Sequence, residues 1–428
     1  MRYIRQALAL MREERLYSAM YIAGTALAVA FVMMIAEVYY VMVADIAPEV
    51  RRSTTYYLED VKLRNKESQY DNIYIDAYRD LFQKMETPEC MMSELILWSN
   101  ASFFITQADS VHEQQVKCRM TDTGFFHLYQ FHFIEGTPFT QNDFDNGRNN
   151  VVITEALRNQ IYGLGQKGVG QTLTLNHRLY HICGVVETPS TLTERCVADI
   201  WMPYTTGSLL KDMGIDYLSM PINIAFSVPA DKREAFMQEL KGVEARYNAV
   251  HKDEPVDMTD HLQSHYEVVW NDLGNVFDVW NGSLLWYVAP AILLLLLVPA
   301  LNLSGMVASR MERRLPEMAI RKTFGAKRTT LLGEVIAENL VLTLAGGIIG
   351  LCLAWTALYG WRDWVFDIFY ESDNLYGTVP LLKGEMFFGP AVFLIALLIC
   401  CVLNILAAIL PAWFSLRKPI VESMSLKK

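Results

Sequence analysis

Residues 308–350 read ASRMERRLPEMAIRKTFGAKRTTLLGEVIAENLVLTLAGGIIG. The stretch holds a basic loop, an amphipathic run that stops at Gly325, and an uncharged apolar run beyond Glu338. Pro316 is expected to open a short helix and Gly325 to close it, since proline suits the first helical turn and glycine the residue after the last. Glu317 and Arg321 stand four apart with the acid first, the order that favours a helical pair. Ile320 and Phe324 share a face, which leaves an apolar ridge on a basic element. Composition leaves two uses equally open: a face offered to a protein partner, or a helix lying on the inner leaflet with its arginines on lipid phosphates.

Working outward, four segments have the length and apolarity to cross a bilayer, which takes roughly 20 residues each. They are 18–44, 284–307, 331–361 and 386–413. The short segments 1–17, 308–330 and 417–428 hold 15 Lys/Arg against 5 Asp/Glu, whereas 362–385 holds two basic residues and five acidic ones. Short basic loops stay in the cytoplasm. The reading is therefore a four-span α-helical membrane protein with both termini, 1–17 and 414–428, in the cytoplasm, and with 308–330 as a cytoplasmic loop. The acidic region 45–283 and the loop 362–385 lie outside. The first apolar stretch exceeds the roughly 7–15 residues of a signal-peptide core, so a retained anchor is expected. Residues 1–17 suit either a short helix at the inner headgroup layer or a plain basic flank.

Region 45–283 is long enough for an α+β domain of its own. Thr55–Leu63 reads as a strand, Ala77–Met85 as a helix, and Leu95–Ile105 as extended. The alternation returns with a strand at Ile222–Val228, a helix at Asp231–Tyr247 and a strand at Tyr266–Trp270. Between them, about 106–220, the pattern is mostly β: Gln115–Met120, Val151–Ile153, Thr172–Leu175, His181–Val186 and Ile200–Met202, with a helix at Thr154–Tyr162 capped by Thr154. This middle part is expected to be an inserted subdomain.

Several motifs are weighed and set aside. Gly163–Gly168 spells GxGxxG, but a helix precedes it and a strand follows, the reverse of a dinucleotide site. His261 and His265 have the spacing of two zinc ligands on a helix, yet lack a HExxH glutamate or a third ligand, so surface histidines are the better reading. No serine elbow or phosphate loop occurs in the sequence, and no catalytic, cofactor or metal residue is assigned. Neither a cofactor nor a nucleic-acid partner is expected. Of the seven cysteines, Cys90, Cys118, Cys183 and Cys196 lie in the outer region. Pairs Cys90–Cys118 and Cys183–Cys196 are open alternatives that sequence cannot decide. Gly346 and Gly350 have GxxxG spacing beside Gly347, which serves dimer contact and packing within one protomer equally well. Glu334 and Glu338, one turn apart at the start of the third span, call for arginine partners, with Arg321 or Arg328 as candidates.

The run MERRLPEMAIRKTFGAKRTTLLGEVIAENLVLTLAGGIIG resembles the signature segment of MacB/FtsX-type ABC transporter permeases. Supporting likenesses are FIEGTPFTQNDF (Phe133–Phe144), VVITEALRNQIYG, VGQTLTLNHRLYHICGVVETP and the ending LPAWFSLRKPIVESM. Thr137 and Trp413 depart from the family pattern. The resemblance implies a permease half without a fused ATPase domain, in a bacterial inner membrane, with a porter-like outer domain. It also implies a second permease protomer, in a homo- or heterodimer, and a cytoplasmic ABC ATPase that docks on Glu317, Met318, Ile320, Arg321, Thr323, Phe324, Gly325 and Ala326. Mechanical transmission is the implied role, with membrane lipid around the spans and an extracytoplasmic adaptor or cargo protein outside. The rival readings are an anchored receptor or scaffold, and an FtsX-like regulator of a cell-wall hydrolase.

Overall fold

The strands of the outer region alternate between two buried faces, which explains their near-continuous apolar runs. In the strand Pro221–Ser227, Ile222, Ile224 and Phe226 join one core cluster while Ala225 joins another. In Asn150–Thr154, Val151 and Ile153 face the first cluster and Val152 the second; in Ile200–Pro203, Trp201 faces the second alone. The structure, a computed structural model, describes residues 15–64, 70–97, 102–106, 113–190, 192–206, 218, 220–276, 304–305, 307–361 and 390–417. Those residues fall into a sheet-based unit within 42–273 and a helical unit from 15–41 and the described residues beyond 273.

In chain order the strands are β1 (Thr55–Leu58), β2 (Val61–Leu63), β3 (Tyr70–Asp71), β4 (Ile73–Tyr74), β5 (Cys90–Leu95), β6 (Phe103–Thr106), β7 (Glu113–Val116), β8 (Cys118–Thr121), β9 (Phe133–Gly136), β10 (Asn150–Thr154), β11 (Thr172–Leu175), β12 (Arg178–Val186), β13 (Ile200–Pro203), β14 (Pro221–Ser227), β15 (Val256–Asp257) and β16 (Gln263–Ser264). One sheet runs β16-β1-β14-β5-β8-β13-β10-β12-β11-β6-β7, with β4 added to β14 and β9 to β12; β15-β2-β3 form a second sheet. The described strands within 106–220 thus extend the same sheet as the strands on either side. Its seam is narrow, because β5 and β8 share one paired position, Glu94 with Thr121. Side chains reinforce the seam. Arg119 donates to Glu94 at 2.6 Å, and Asp122 Oδ2 accepts from Ser93 N at 2.9 Å, Ser93 Oγ at 2.8 Å and the Tyr78 hydroxyl at 2.9 Å.

The structure departs from several of the sequence expectations. Thr55–Leu63 is two strands, β1 and β2, in different sheets. Tyr266–Trp270 is not a strand but part of the helix His265–Val276. The pattern YEVVW reads as β-branched and aromatic, yet Ser264 and Glu267 form a reciprocal cap: Glu267 N donates to Ser264 Oγ at 3.3 Å, and Ser264 N to Glu267 Oε2 at 2.7 Å. That capping box starts a helix whose buried face carries His265, Val268 and Val269 at helical spacing. His265 is accordingly buried rather than superficial, and no described pair of histidines shares a helix as zinc ligands; His261 instead meets Asp60 at 3.4 Å. All seven cysteines are free, so neither alternative disulfide forms. Cys118 and Cys196 are enclosed in the two cores, where burial pushes both thiols well above their ordinary range.

In the helical unit, Arg15–Val43, Arg328–Gly360 and Val392–Phe414 are long and apolar enough to cross a membrane. The expected second span, 284–307, falls outside the described residues except for 304, 305 and 307. Gly346 and Gly350 settle within one protomer. A methyl group added at Gly346 would lie 2.8 Å from Thr25 Cβ, and one at Gly350 would lie 2.5 Å from the Ala26 carbonyl oxygen. The two glycines therefore let the helix Arg328–Gly360 approach the helix Arg15–Val43, while Gly347 faces Leu397.

Candidate transmission site

Residues 307–323 form a helix that is longer than the sequence suggested. Val307, Met311, Leu315, Met318 and Ala319 recur every three or four residues and are all buried. That continuous apolar stripe carries the helix through Pro316, which lies inside it rather than at its start. An internal proline forfeits a backbone bond and costs about 3 kcal/mol, so the buried stripe must outweigh it.

The helix stops as expected. Gly325 adopts φ +93°, Ala326 N donates to Arg321 O at 3.0 Å, and Gly325 N donates to Lys322 O at 3.0 Å. This is a Schellman stop, which favours glycine because a side chain at that φ is strained. Lys327, in extended conformation, then occupies the N-cap position of Arg328–Gly360 without a side-chain cap bond. Because the turn is tight, the helices on either side run antiparallel and their charged residues meet. Arg321 bonds Glu334 at 3.0 Å and Glu317 at 2.6 Å; Arg314 bonds Glu338 at 2.9 Å, and Arg310 pairs with Glu338 as well. Arg310 also lies 4.6 Å from the centre of the Tyr17 ring.

The two ends of this ladder differ in depth. The Glu338 and Arg310 side chains are 8% and 7% exposed, whereas Glu317 and Arg321 are 51% and 41% exposed. The turn leaves the apolar ridge outside: Ile320 is 50% exposed and Phe324 88%. Thr323 is exposed with its hydroxyl on Ile320 O at 2.6 Å, while Met318 points inward to Leu331 and Val335. Burial, then the charge of Arg328, holds Lys322 below the ordinary lysine range.

Of the residues singled out from sequence, Glu317, Ile320, Arg321, Thr323 and Phe324 share the exposed side of one helix end, with Gly325 and Ala326 forming its stop. Met318 belongs to the core instead. Arg321 is the partner expected for Glu334, but Arg328 is not; Glu338 takes Arg310 and Arg314, which sequence reasoning missed. A signal existed: Arg310/Arg314 and Glu334/Glu338 are both spaced by four, on helices joined by a glycine turn. Deeper in this unit, Thr343 bonds Tyr21 at 3.3 Å and Asn404 at 3.2 Å, linking three helices. The Gly163–Gly168 connector binds its own chain: Glu135 accepts from Gly168 N at 2.9 Å and Val169 N at 3.2 Å, with Arg158 on its other oxygen.

Residues 18–243 match the MacB-like periplasmic core domain, and residues 290–420 match the FtsX-like permease C-terminal domain. The chain belongs to the MacB/FtsX-type ABC transporter permeases. It is a membrane protein with an extracytoplasmic domain. The permease is 20% identical to the uncharacterized ABC transporter permease YknZ of Bacillus subtilis (strain 168) over 261 residues, 58% of this chain and 61% of that one. It is 24% identical to the macrolide export ATP-binding/permease protein MacB of Escherichia coli (strain K12) over 307 residues, 70% of this chain and 42% of that one. The match thus spans about half the length of these relatives, 61% and 42%. Among solved structures, the periplasmic region of MacB from Actinobacillus actinomycetemcomitans aligns with TM-score 0.39 and 14% identity, covering 51% of this chain and 92% of that one. The extracellular domain of YknZ from Gram-positive bacteria aligns with TM-score 0.36 and 12% identity, covering 48% of this chain and 97% of that one.

Proposed function

We propose that this permease is the membrane subunit through which ATP hydrolysis by a separate cytoplasmic ABC ATPase rearranges the extracytoplasmic domain. In this reading it has four spans with both termini in the cytoplasm, pairs with a second protomer, and drives export or release of a peptide, lipoprotein or small molecule. The ATPase docks on Glu317–Ala326. One observation carries the reading: the exposed Ile320 and Phe324 ridge sits on a helix whose other face is buried and whose Arg321 is tied to Glu334 on the next helix. A partner pressing on that ridge moves a braced lever rather than a loose loop.

The test uses the complex of the permease with its ATPase. Ile320→Ala with Phe324→Ala is expected to weaken docking by about 30-fold, the effect of losing roughly 2 kcal/mol at an interface anchor. Arg321→Glu, which sets three carboxylates together, should also abolish the permease's effect on ATPase rate. Glu312→Ala, on the exposed side away from the ridge, should leave both intact. Unchanged docking and stimulation in the ridge and Arg321 variants would contradict the reading.

A further inference from the structure

The sheet-based unit contains a second set of linkages that the transmission site does not use. Residues 192–199, the last part of the connection from β12 to β13, have no regular secondary structure, yet Leu192, Thr193, Cys196, Val197 and Ala198 are at most 5% exposed. Irregular backbone is rarely buried, because its polar groups then need dedicated partners. Here arginines and a tryptophan provide them.

Toward the chain leaving the first apolar helix, Arg52 joins three points: it donates to Leu192 O at 3.1 Å, to Ala44 O at 3.0 Å and to Glu49 at 2.6 Å. Toward the helix His265–Val276, which precedes the expected second span, Arg195 bonds Asp272 at 3.0 Å while its other nitrogen pairs with Glu59. That helix is itself tied back at its first residue, where His265 Nε2 lies 3.0 Å from Met42 O. On the far side, Trp201 Nε1 donates to Cys196 O at 3.0 Å, and Arg119 Nε to Val197 O at 3.0 Å. Residues 192–199 are therefore bonded to both chain segments that lead to the apolar helices, and to β13 and β8 as well.

We infer that residues 192–199 are a strap that carries displacement of the helix His265–Val276 into the distal half of the sheet, with Arg195 as its positioning residue. The sheet crosses from β5 to β8 through one paired backbone position, braced by the Arg119–Glu94 and Asp122–Ser93 bonds. The strap supplies a second crossing: its Arg52–Leu192 and Trp201–Cys196 bonds are buried, while Glu59 and Asp272 on Arg195 are 40% and 48% exposed. Arg195 suits the role because a planar guanidinium holds Glu59 and Asp272 at once, which a lysine does not. This inference rests on the ATPase-driven reading above and adds the route that motion takes outside.

Hydrogen exchange on the complex with its ATPase in nanodiscs, without nucleotide and with ATP plus vanadate, tests both ideas separately. In the wild type, nucleotide is expected to change exchange at 307–323 and also in β12 and β13. In Arg195→Ala the change at 307–323 persists, while the change in β12 and β13 shrinks by about five-fold or more, the lower range of coupling between sites. Arg195→Lys restores part of it. Arg148→Ala, which breaks a distal ion pair with Asp143, leaves it intact. Should Arg195→Ala unfold, seen as lost protection in β10 without nucleotide, Asp272→Asn removes a single arm and carries the same expectation. An undiminished distal response in both variants overturns the strap alone. A wild type with no nucleotide-dependent change at 307–323 overturns the ATPase reading and the strap with it.

Discussion

Replacing Glu338 by glutamine keeps the side chain's size and removes only its charge. Two guanidiniums, Arg310 and Arg314, then face an amide, and with side-chain exposures of 7% and 16% neither has ready access to water. Stripping one partner from a buried ion pair costs about 3–5 kcal/mol, because the remaining charge stays desolvated. Glu317→Gln is the internal comparison. It removes one carboxylate from the same ladder, but Glu317 and Arg321 are 51% and 41% exposed, and such pairs are worth about 1 kcal/mol or less. Glu334 remains beside Arg321 in that variant, which lowers the loss further. Denaturant unfolding of the detergent-solubilised chain should therefore rank the variants clearly, with Glu338→Gln less stable than Glu317→Gln by at least about 2 kcal/mol. Arg310→Met, which leaves Glu338 its Arg314 partner, should fall between them. If Glu338→Gln lost no more stability than Glu317→Gln, the buried ladder would not be what braces this helix.

The glycine contacts, the seam and the helix stop give three further expectations. Gly350→Ala places a methyl 2.5 Å from Ala26 O and 2.9 Å from Val29 Cβ, so it should cost about 1–3 kcal/mol by overpacking. Gly360→Ala, with nothing within 4 Å, should be neutral in the same unfolding assay. Burial raises Asp122 from 3.8 to about 6 despite hydrogen bonds from Ser93 and Tyr78. Between those values the folded chain keeps a proton that the unfolded chain has lost, so the stability contributed by Asp122 is full below the unfolded value and is lost as pH rises through the folded one. A shift of about 2 units is about 3 kcal/mol, so the wild type should lose that much relative to Asp122→Asn between about pH 4 and pH 7; parallel pH profiles would refute it. Gly325→Ala, at φ +93°, should destabilise the stop by about 1 kcal/mol and lower helicity at 320–326 by hydrogen exchange.

Local chemistry was legible where a residue's role depends on its neighbours in sequence. Gly325 as a helix stop, Thr154 as a cap and the Glu317–Arg321 pair all follow from spacing within one turn, and the structure contains each. The partners of Glu338 were not legible, because Arg310 and Arg314 reach it only after the chain reverses at Gly325. The helix His265–Val276 was misread for a different reason. Its Val268–Val269 pair weighs toward a strand, while the deciding signal, Ser264 with Glu267, lies at its edge. Pro316 shows the limit of a breaker rule: a stripe of buried residues from Val307 to Ala319 carried the helix past it. GxxxG spacing at Gly346 and Gly350 left dimer contact and packing within one protomer equally open; in the structure the two glycines lie against Thr25 and Ala26 of the same chain.

The side of the membrane on which the ridge lies tests the account most directly. Phe324 is 88% exposed, so a cysteine placed there faces solvent, whereas burial pushes the thiol at Cys183 up to about 12 and those of Cys118 and Cys196 well above their ordinary range. A membrane-impermeant maleimide should therefore label Phe324→Cys above the wild-type background in inside-out vesicles and not in right-side-out vesicles. Labelling in right-side-out vesicles alone would place the ridge outside the cell, beyond the reach of any cytoplasmic ATPase.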